Sequence, residues 1–199
     1  MPRANTYPPD LRDRLIAAAA DRLAVGGPHS LSLREFARSQ GTSTNAVYAI
    51  FGGKPELIEA VVASARAGFV AAQQVALGDG DSLGTLAALG RAYRAWALEH
   101  PSLYRVMFAA DPLVSVERPR LEGSIALRAA LTRLIDEGAI RDVDVPLTAR
   151  SLWASVHGWV MLEIADRGAA TEDSDAAFEW HLRVSLVGIA SDALRANLP

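Results

Sequence analysis

The side chains best equipped for chemistry crowd into one stretch, Ser32 to Lys54. Asn45 can pair bidentately with adenine, and the methyl groups of Thr44 and Ala46 can meet the methyl of thymine. The Tyr48 hydroxyl can donate to a phosphate. Lys54 stands at a predicted helix start, where ammonium charge, free backbone amides and the helix dipole all favour an anion. Ser32 and Ser43 are helix caps first, with hydroxyls that can also touch phosphate. Arg34 and Arg38 carry the other positive charges of the stretch. This is the chemistry of hydrogen bonding to a polyanion. Chemistry that breaks bonds leaves no comparable trace. The four histidines (His29, His100, His157, His181) lack metal-ligand spacing such as H-E-x-x-H, and neither a Gly-rich phosphate loop nor a G-x-S-x-G elbow occurs. No catalytic residue, metal site or cofactor is expected.

Positioning those residues takes two short helices. Ser32-x-x-Glu35 reads as a capping box that starts the first, with Phe36 and Ala37 turned inward. Gly41 supplies the permissive backbone of a tight turn. Ser43 then caps a second helix, Thr44 to Phe51, which Gly52-Gly53 closes. Val47 and Ile50 pack it onto the first. By spacing the pair is a helix-turn-helix. Many helical hairpins of this kind bind nothing, so spacing alone leaves the function open.

The rest of the chain also reads as helix. Leu11, Leu15, Ala19 and Leu23 share a face of a first helix that Asp10 is placed to cap and Gly26-Gly27 stops. Leu57, Val61, Ala65, Phe69 and Ala72 mark a long helix behind Pro55. After a loop at Gly78–Ser82 come the stripe Leu83, Leu86, Gly90, Tyr93, Ala97 and a short helix at Leu103 to Phe108. A connection is expected over Ala109 to Arg120, then a helix ending at Gly138. The last two helices are expected over Thr148 to Arg167 and Asp175 to Leu198. No run alternates as a strand must. The expected fold is all-α: a helix-turn-helix domain over residues 1–54 and a larger helical domain over 55–199.

Composition sets further bounds. Half of the 199 residues are hydrophobic and 22% are charged, as in ordinary globular proteins. Without cysteine there is no disulfide and no thiolate chemistry. The formal net charge is −3, yet residues 3–54 carry six arginines and Lys54 against Asp10, Asp13, Asp21 and Glu35, a local +3. No segment approaches the ~20 apolar residues of a membrane span, and the N-terminus lacks a signal-peptide pattern. A cytoplasmic protein is expected. Lys54 is the one lysine among 20 basic residues.

The stretch from Leu11 to Leu57 resembles the N-terminal domain of the TetR family of transcriptional regulators. Leu31-Ser-Leu-Arg-Glu-Phe-Ala37, Gly41-Thr-Ser43 and Tyr48-x-x-Phe51-x-x-Lys54-x-x-Leu57 carry the resemblance. Trp153, His157-Gly158 and the segment His100-Pro-Ser-Leu-Tyr104-x-x-Met107-Phe108 are similar to a subgroup with a Trp and a His-Gly pair on the penultimate helix. The resemblance implies a regulator, by family precedent a repressor, that binds a palindromic DNA operator and releases it when a small-molecule effector enters the C-terminal half. Two positions depart from the family pattern: Thr44 stands where a basic residue is frequent, and Asn45 where glycine is. The recognition helix holds no Arg or Lys, which excludes guanine readout by an arginine within it.

By the same resemblance, Tyr93, Trp96, Tyr104, Met107, Phe108, Trp153 and His157 are the candidates to line an effector cavity. Ordinary core packing explains the same residues. The helix carrying Trp159 and Leu162 is apolar nearly all round, and Phe178, Leu182, Leu186 and Ile189 stripe its neighbour. Such helices are buried on all sides. A homodimeric four-helix bundle made by these residues is expected. An all-helical enzyme and a helical adaptor that does not bind DNA stay open as alternatives.

Overall fold

A computed structural model describes residues 7–77, 82–108, 122–165 and 174–191. The regular elements among them are helices: α1 (Leu11–Gly26), α2 (Leu33–Ser39), α3 (Thr44–Phe51), α4 (Lys54–Ala76), α5 (Ser82–Glu99), α6 (Pro101–Met107), α7 (Glu122–Asp136), α8 (Val145–Ile164) and α9 (Ser174–Val187), with one 3-10 turn at Pro28–Ser30. The all-α expectation holds. The expected loop at Gly78–Asp81 and the connection Ala109–Arg120 lie outside the described residues. So do Arg167, expected to end α8, and the stretch up to Leu198.

The contacts divide the chain into two compact units. The first takes the described residues up to Gly68 and those of α6; the second takes Phe69–Glu99 and the described residues of α7, α8 and α9. α4 therefore contributes to both.

In the first unit, Leu15, Ala19, Phe36, Val47, Leu57 and Val61 form one core with almost no exposed surface. Val106 and Leu103 of α6 join it, so the short helix after His100-Pro101 packs on α1. Side chains also tie α1 to the helix-turn-helix: Arg22 donates to Ser39 Oγ at 3.0 Å and lies over the Phe36 ring, and Arg12 lies over Phe51. Two expected caps do not form. Asp10 pairs with Arg14 at 2.8 Å instead of capping α1. Ser32 makes no side-chain cap bond, so the capping box is absent.

In the second unit, α5, α7 and α8 surround Leu86, Leu89, Leu131, Leu134 and Ala149. α8 begins three residues before its expected start, because Asp144 accepts from Leu147 N–H at 2.8 Å and Pro146 suits a first turn. α9 stops at Val187, well short of Leu198. The chain beyond it turns at Gly188 and Ile189, and Ala190 then bridges Ile140, with Arg141 N–H donating to Ile189 C=O at 3.0 Å. α5 and α9 approach closely at Gly90, where a Cβ would stand 2.6 Å from Leu182 Cδ2.

Candidate functional site

The first candidate site is the surface of the helix-turn-helix. Gly41 turns the chain between α2 and α3 at φ 65°, a conformation that suits glycine. Thr42 N–H closes the turn on Ala37 C=O at 3.0 Å. Ser43 caps α3 as expected, its Oγ accepting from Ala46 N–H at 3.1 Å. Gly52, at φ 100°, ends α3.

This frame sorts the α3 side chains by helical position. Ala46 and Val47 face the core, with Ile50 and Phe51 partly buried against it. Asn45, Tyr48 and Ala49 form the exposed stripe, three and four residues apart. Ala46 is 1% exposed and cannot offer its methyl to a base, contrary to the expectation. Ala49, which sequence reading missed, holds the exposed position one turn beyond Asn45. Its signal was available: with Val47 assigned to the core, helical geometry sends residue 46 inward and residue 49 outward. Thr44 is partly exposed, and Ser32, Arg34, Arg38 and Ser43 are exposed.

At the start of α4, Lys54 is half-buried beside buried Gly53. Leu57 N–H donates to Gly53 C=O at 3.1 Å. The Glu56 carboxylate leans back over this turn: a Cβ on Gly53 would lie 2.8 Å from Glu56 Oε2. Pro55 has no N–H to offer an anion. Lys54 thus stands near a carboxylate that leans over the same helix end.

The second candidate site is a cavity of about 60 Å³ within the second unit. Phe69 and Gln73 of α4 line it, with Leu86, Leu89, Gly90 and Tyr93 of α5, Leu127 of α7, Leu152, Trp153, Ser155 and Val156 of α8, and Leu182, Ser185 and Leu186 of α9. Of the seven residues expected at an effector site, Tyr93 and Trp153 line the cavity. His157 stands behind them, its Nδ1 3.1 Å from the Tyr93 hydroxyl and its ring stacked on Trp153 at 5.0 Å. Burial pushes the His157 imidazole below its ordinary pKa. Trp96 packs edge-on against Phe69 at 5.5 Å without lining the cavity. Tyr104 and Met107 of α6, and Phe108 at its C-terminal cap, belong to the other unit, where the Tyr104 and Phe108 rings meet at 4.8 Å.

Gln73 is the polar lining residue that sequence reading missed. It falls four positions after Phe69, on the apolar stripe of α4, and a lone amide on such a stripe was the available signal. It is 5% exposed, and its Nε2 donates to Leu89 C=O at 3.4 Å.

An ion cluster joins α5, α8 and α9 in the same unit. Arg94 donates to Glu163 at 2.7 Å and Asp175 at 2.6 Å, and stands 5.0 Å over the Phe178 ring. The hydrogen bonds from Arg94 hold Glu163 below the usual carboxylate range, and Glu163 in turn raises the guanidinium.

The residues expected at a dimer contact divide. Leu162 is exposed. Phe178 and Leu182 are buried by the chain itself, Phe178 under Arg94 and Leu182 against the cavity, so no second copy can cover them. Leu186 and Ile189 pack on the α7–α8 core. Trp159 is half-buried against His181 at 4.9 Å. The exposed apolar surface lies on the other side of α9, at Trp180, Val184 and Val187, with Met161 and Leu162 on α8.

Comparison with known proteins adds to this geometry. The model described as "Bacterial regulatory proteins, tetR family" matches residues 15–61, and "Tetracyclin repressor-like, C-terminal domain" matches residues 86–185, just over half of the chain. A solved structure of a protein with unknown function from Rhodococcus sp. RHA1 is 25% identical, covers 96% of this chain and 100% of its own, and has a TM-score of 0.75. The TetR family transcriptional regulator PfmR from Thermus thermophilus is 24% identical over 87% of this chain and 97% of its own, with a TM-score of 0.74. FadR from Bacillus subtilis, solved in complex with stearoyl-CoA, is 18% identical over 89% and 98%, also at 0.74. The last two likenesses show the fold alone. Comparison with curated proteins gave no match.

Proposed function

Since the chain belongs to the TetR family of bacterial transcriptional regulators, we propose that it is a homodimeric repressor that leaves a palindromic operator when a small molecule fills the cavity of its second unit. The observation that carries the DNA half of this reading is the exposed α3 stripe. Asn45, Tyr48 and Ala49 are presented by a helix whose other side is buried. The N-terminal part of such a helix enters the major groove. Asn45 pairs with adenine, and the Ala49 methyl meets a thymine methyl, so the operator is read at A·T pairs. Thr44 and Tyr48 flank them. Ser32, Arg34, Ser43 and Lys54 contact phosphates, which position the protein without reading sequence.

The exposed apolar surface of α8 and α9 supports a homodimer. Two-fold symmetry sets the two recognition helices roughly 34–36 Å apart on successive major grooves. The cavity supports the effector half. A ligand shifts the equilibrium only by preferring one state. α4 supplies residues to both units and is the element through which that preference acts. The protein is a binding protein, not an enzyme, and works in the cytoplasm where its DNA lies. Among the described residues no helix is long and apolar enough to cross a membrane.

The test is duplex binding measured by fluorescence anisotropy over a salt series. Affinity should fall steeply and linearly in log[salt], as counterions leave the phosphates. No measurable affinity for any duplex would instead favour the adaptor that does not bind DNA.

A further inference from the structure

We propose that the cavity of the second unit takes an uncharged, largely apolar small molecule that offers one hydroxyl or carbonyl group to Gln73 and Tyr93. This rests on the effector reading above and narrows it to a chemical class. None of the side chains lining the cavity is charged. Of the four arginines of α5 and α7, Arg128 is exposed and does not line the cavity, and the others are committed elsewhere: Arg94 to Glu163 and Asp175, Arg91 to Glu179 at 2.7 Å, and Arg133 to Thr85 and Glu137. A carboxylate or phosphate brought into this cavity would lose its water and meet no cation on the lining. An ammonium would meet no carboxylate there. Both are strongly disfavoured.

The polar groups that do line the cavity suit a neutral partner. Ser155 and Ser185 turn their hydroxyl hydrogens back to Leu152 C=O and His181 C=O, each at 2.9 Å. Tyr93 faces His157 Nδ1, and with that imidazole held neutral by burial the tyrosine hydroxyl can donate to the ring while its oxygen accepts from a ligand. Gln73 makes only the long bond to Leu89 among the described residues, so its carbonyl oxygen and second amide hydrogen can serve a ligand. Together they accept from a hydroxyl or donate to a carbonyl.

The cavity volume, about 60 Å³, is smaller than the ~150 Å³ that takes a benzene. A ligand must therefore displace part of the wall. Leu182 is part of that wall, its tip packed into the space that Gly90, lacking a side chain, leaves open.

The experiment titrates the full chain at pH 7 with octan-1-ol, octanoate and octylammonium, read by calorimetry and by the melting temperature. The alcohol should bind, and each ion should bind at least thirtyfold more weakly. Gln73→Leu should weaken the alcohol about tenfold. Tyr93→Phe is the milder second variant, expected to weaken it by a few-fold while the melting curve reports that the fold is kept. Equal binding of octanoate or octylammonium, no binding of the alcohol, or an unchanged affinity in both variants would overturn the proposal. DNA binding is followed in the same samples. Alcohol that binds without releasing DNA contradicts the effector reading and leaves the cavity chemistry standing. Intact DNA binding with no alcohol bound contradicts the cavity chemistry alone.

Discussion

The Tyr93 hydroxyl stands 3.1 Å from His157 Nδ1 and joins α5 to α8 at the edge of the cavity. Burial holds the imidazole below its ordinary pKa near 6.5, so it is neutral in the folded protein at pH 7. The unfolded chain takes up the proton first as pH falls. Stability is therefore fully present above about pH 6.5 and declines as pH drops through the folded value. His181 is shifted the same way by burial and adds to that decline. His157→Gln should flatten part of the melting-temperature slope below pH 6.5, leaving the His181 share. An unaltered slope would remove His157 from this account.

Arg94 and Glu163 form a largely buried ion pair, with side chains 14% and 9% exposed. Removing one partner of such a pair strands the other. Arg94→Met should cost about 3–5 kcal/mol at pH 7, measured by urea unfolding. The folded pKa of Glu163 is depressed, so its contribution is present above about pH 4.5 and lost as pH falls through the folded value. A cost under about 1 kcal/mol would class the pair with ordinary surface bridges.

Trp180, Val184 and Val187 share the outer side of α9, and none is needed by the core beneath it. Trp180→Arg should therefore shift the protein from dimer to monomer in light scattering without lowering helix content. Trp159→Arg would disturb the Phe178–His181 packing as well, which makes it the poorer test. A Trp180→Arg variant that stays fully dimeric would move the contact off this surface.

Lys54 and Glu56 place opposite charges at the start of α4. Lys54→Ala should weaken binding to all duplexes alike and lower the salt slope by about one. Glu56→Gln removes a carboxylate that repels phosphate, so it should strengthen binding a few-fold. The same change should cost the helix about 0.3–1 kcal/mol, because acidic groups stabilise N-termini. Anisotropy over a salt series separates the two effects.

What the sequence disclosed depended on how local each signal was. Gly41, Ser43 and Gly52 set α3 correctly because a turn, a cap and a stop are decided within a few residues. Ser32 has a fuller capping pattern than Ser43, with Glu35 three residues on, and still makes no cap bond, since a capping residue needs its side chain turned onto the helix. The α9 stripe was visible, but which side meets the chain's own core is settled by α5 and α8. Phe178 and Leu182 went inward, leaving Trp180 and Val184 outside. Tyr93, Trp153 and His157 come together as neighbours of one cavity. Tyr104 resembles them in type, yet it stands on α6 in the first unit. Residue type does not report tertiary distance.

The central claim is that α3 reads A·T pairs in a two-fold operator through Asn45. Selection of bound duplexes from a random pool, run in parallel with wild type and Asn45→Ala, tests it most directly. Wild type should enrich an inverted repeat with an adenine fixed at one position of each half-site. Asn45→Ala should keep the repeat and its phosphate-driven affinity but lose about 1–3 kcal/mol of preference at that position. Enrichment of no repeat, or an identical preference from both proteins, would contradict the account.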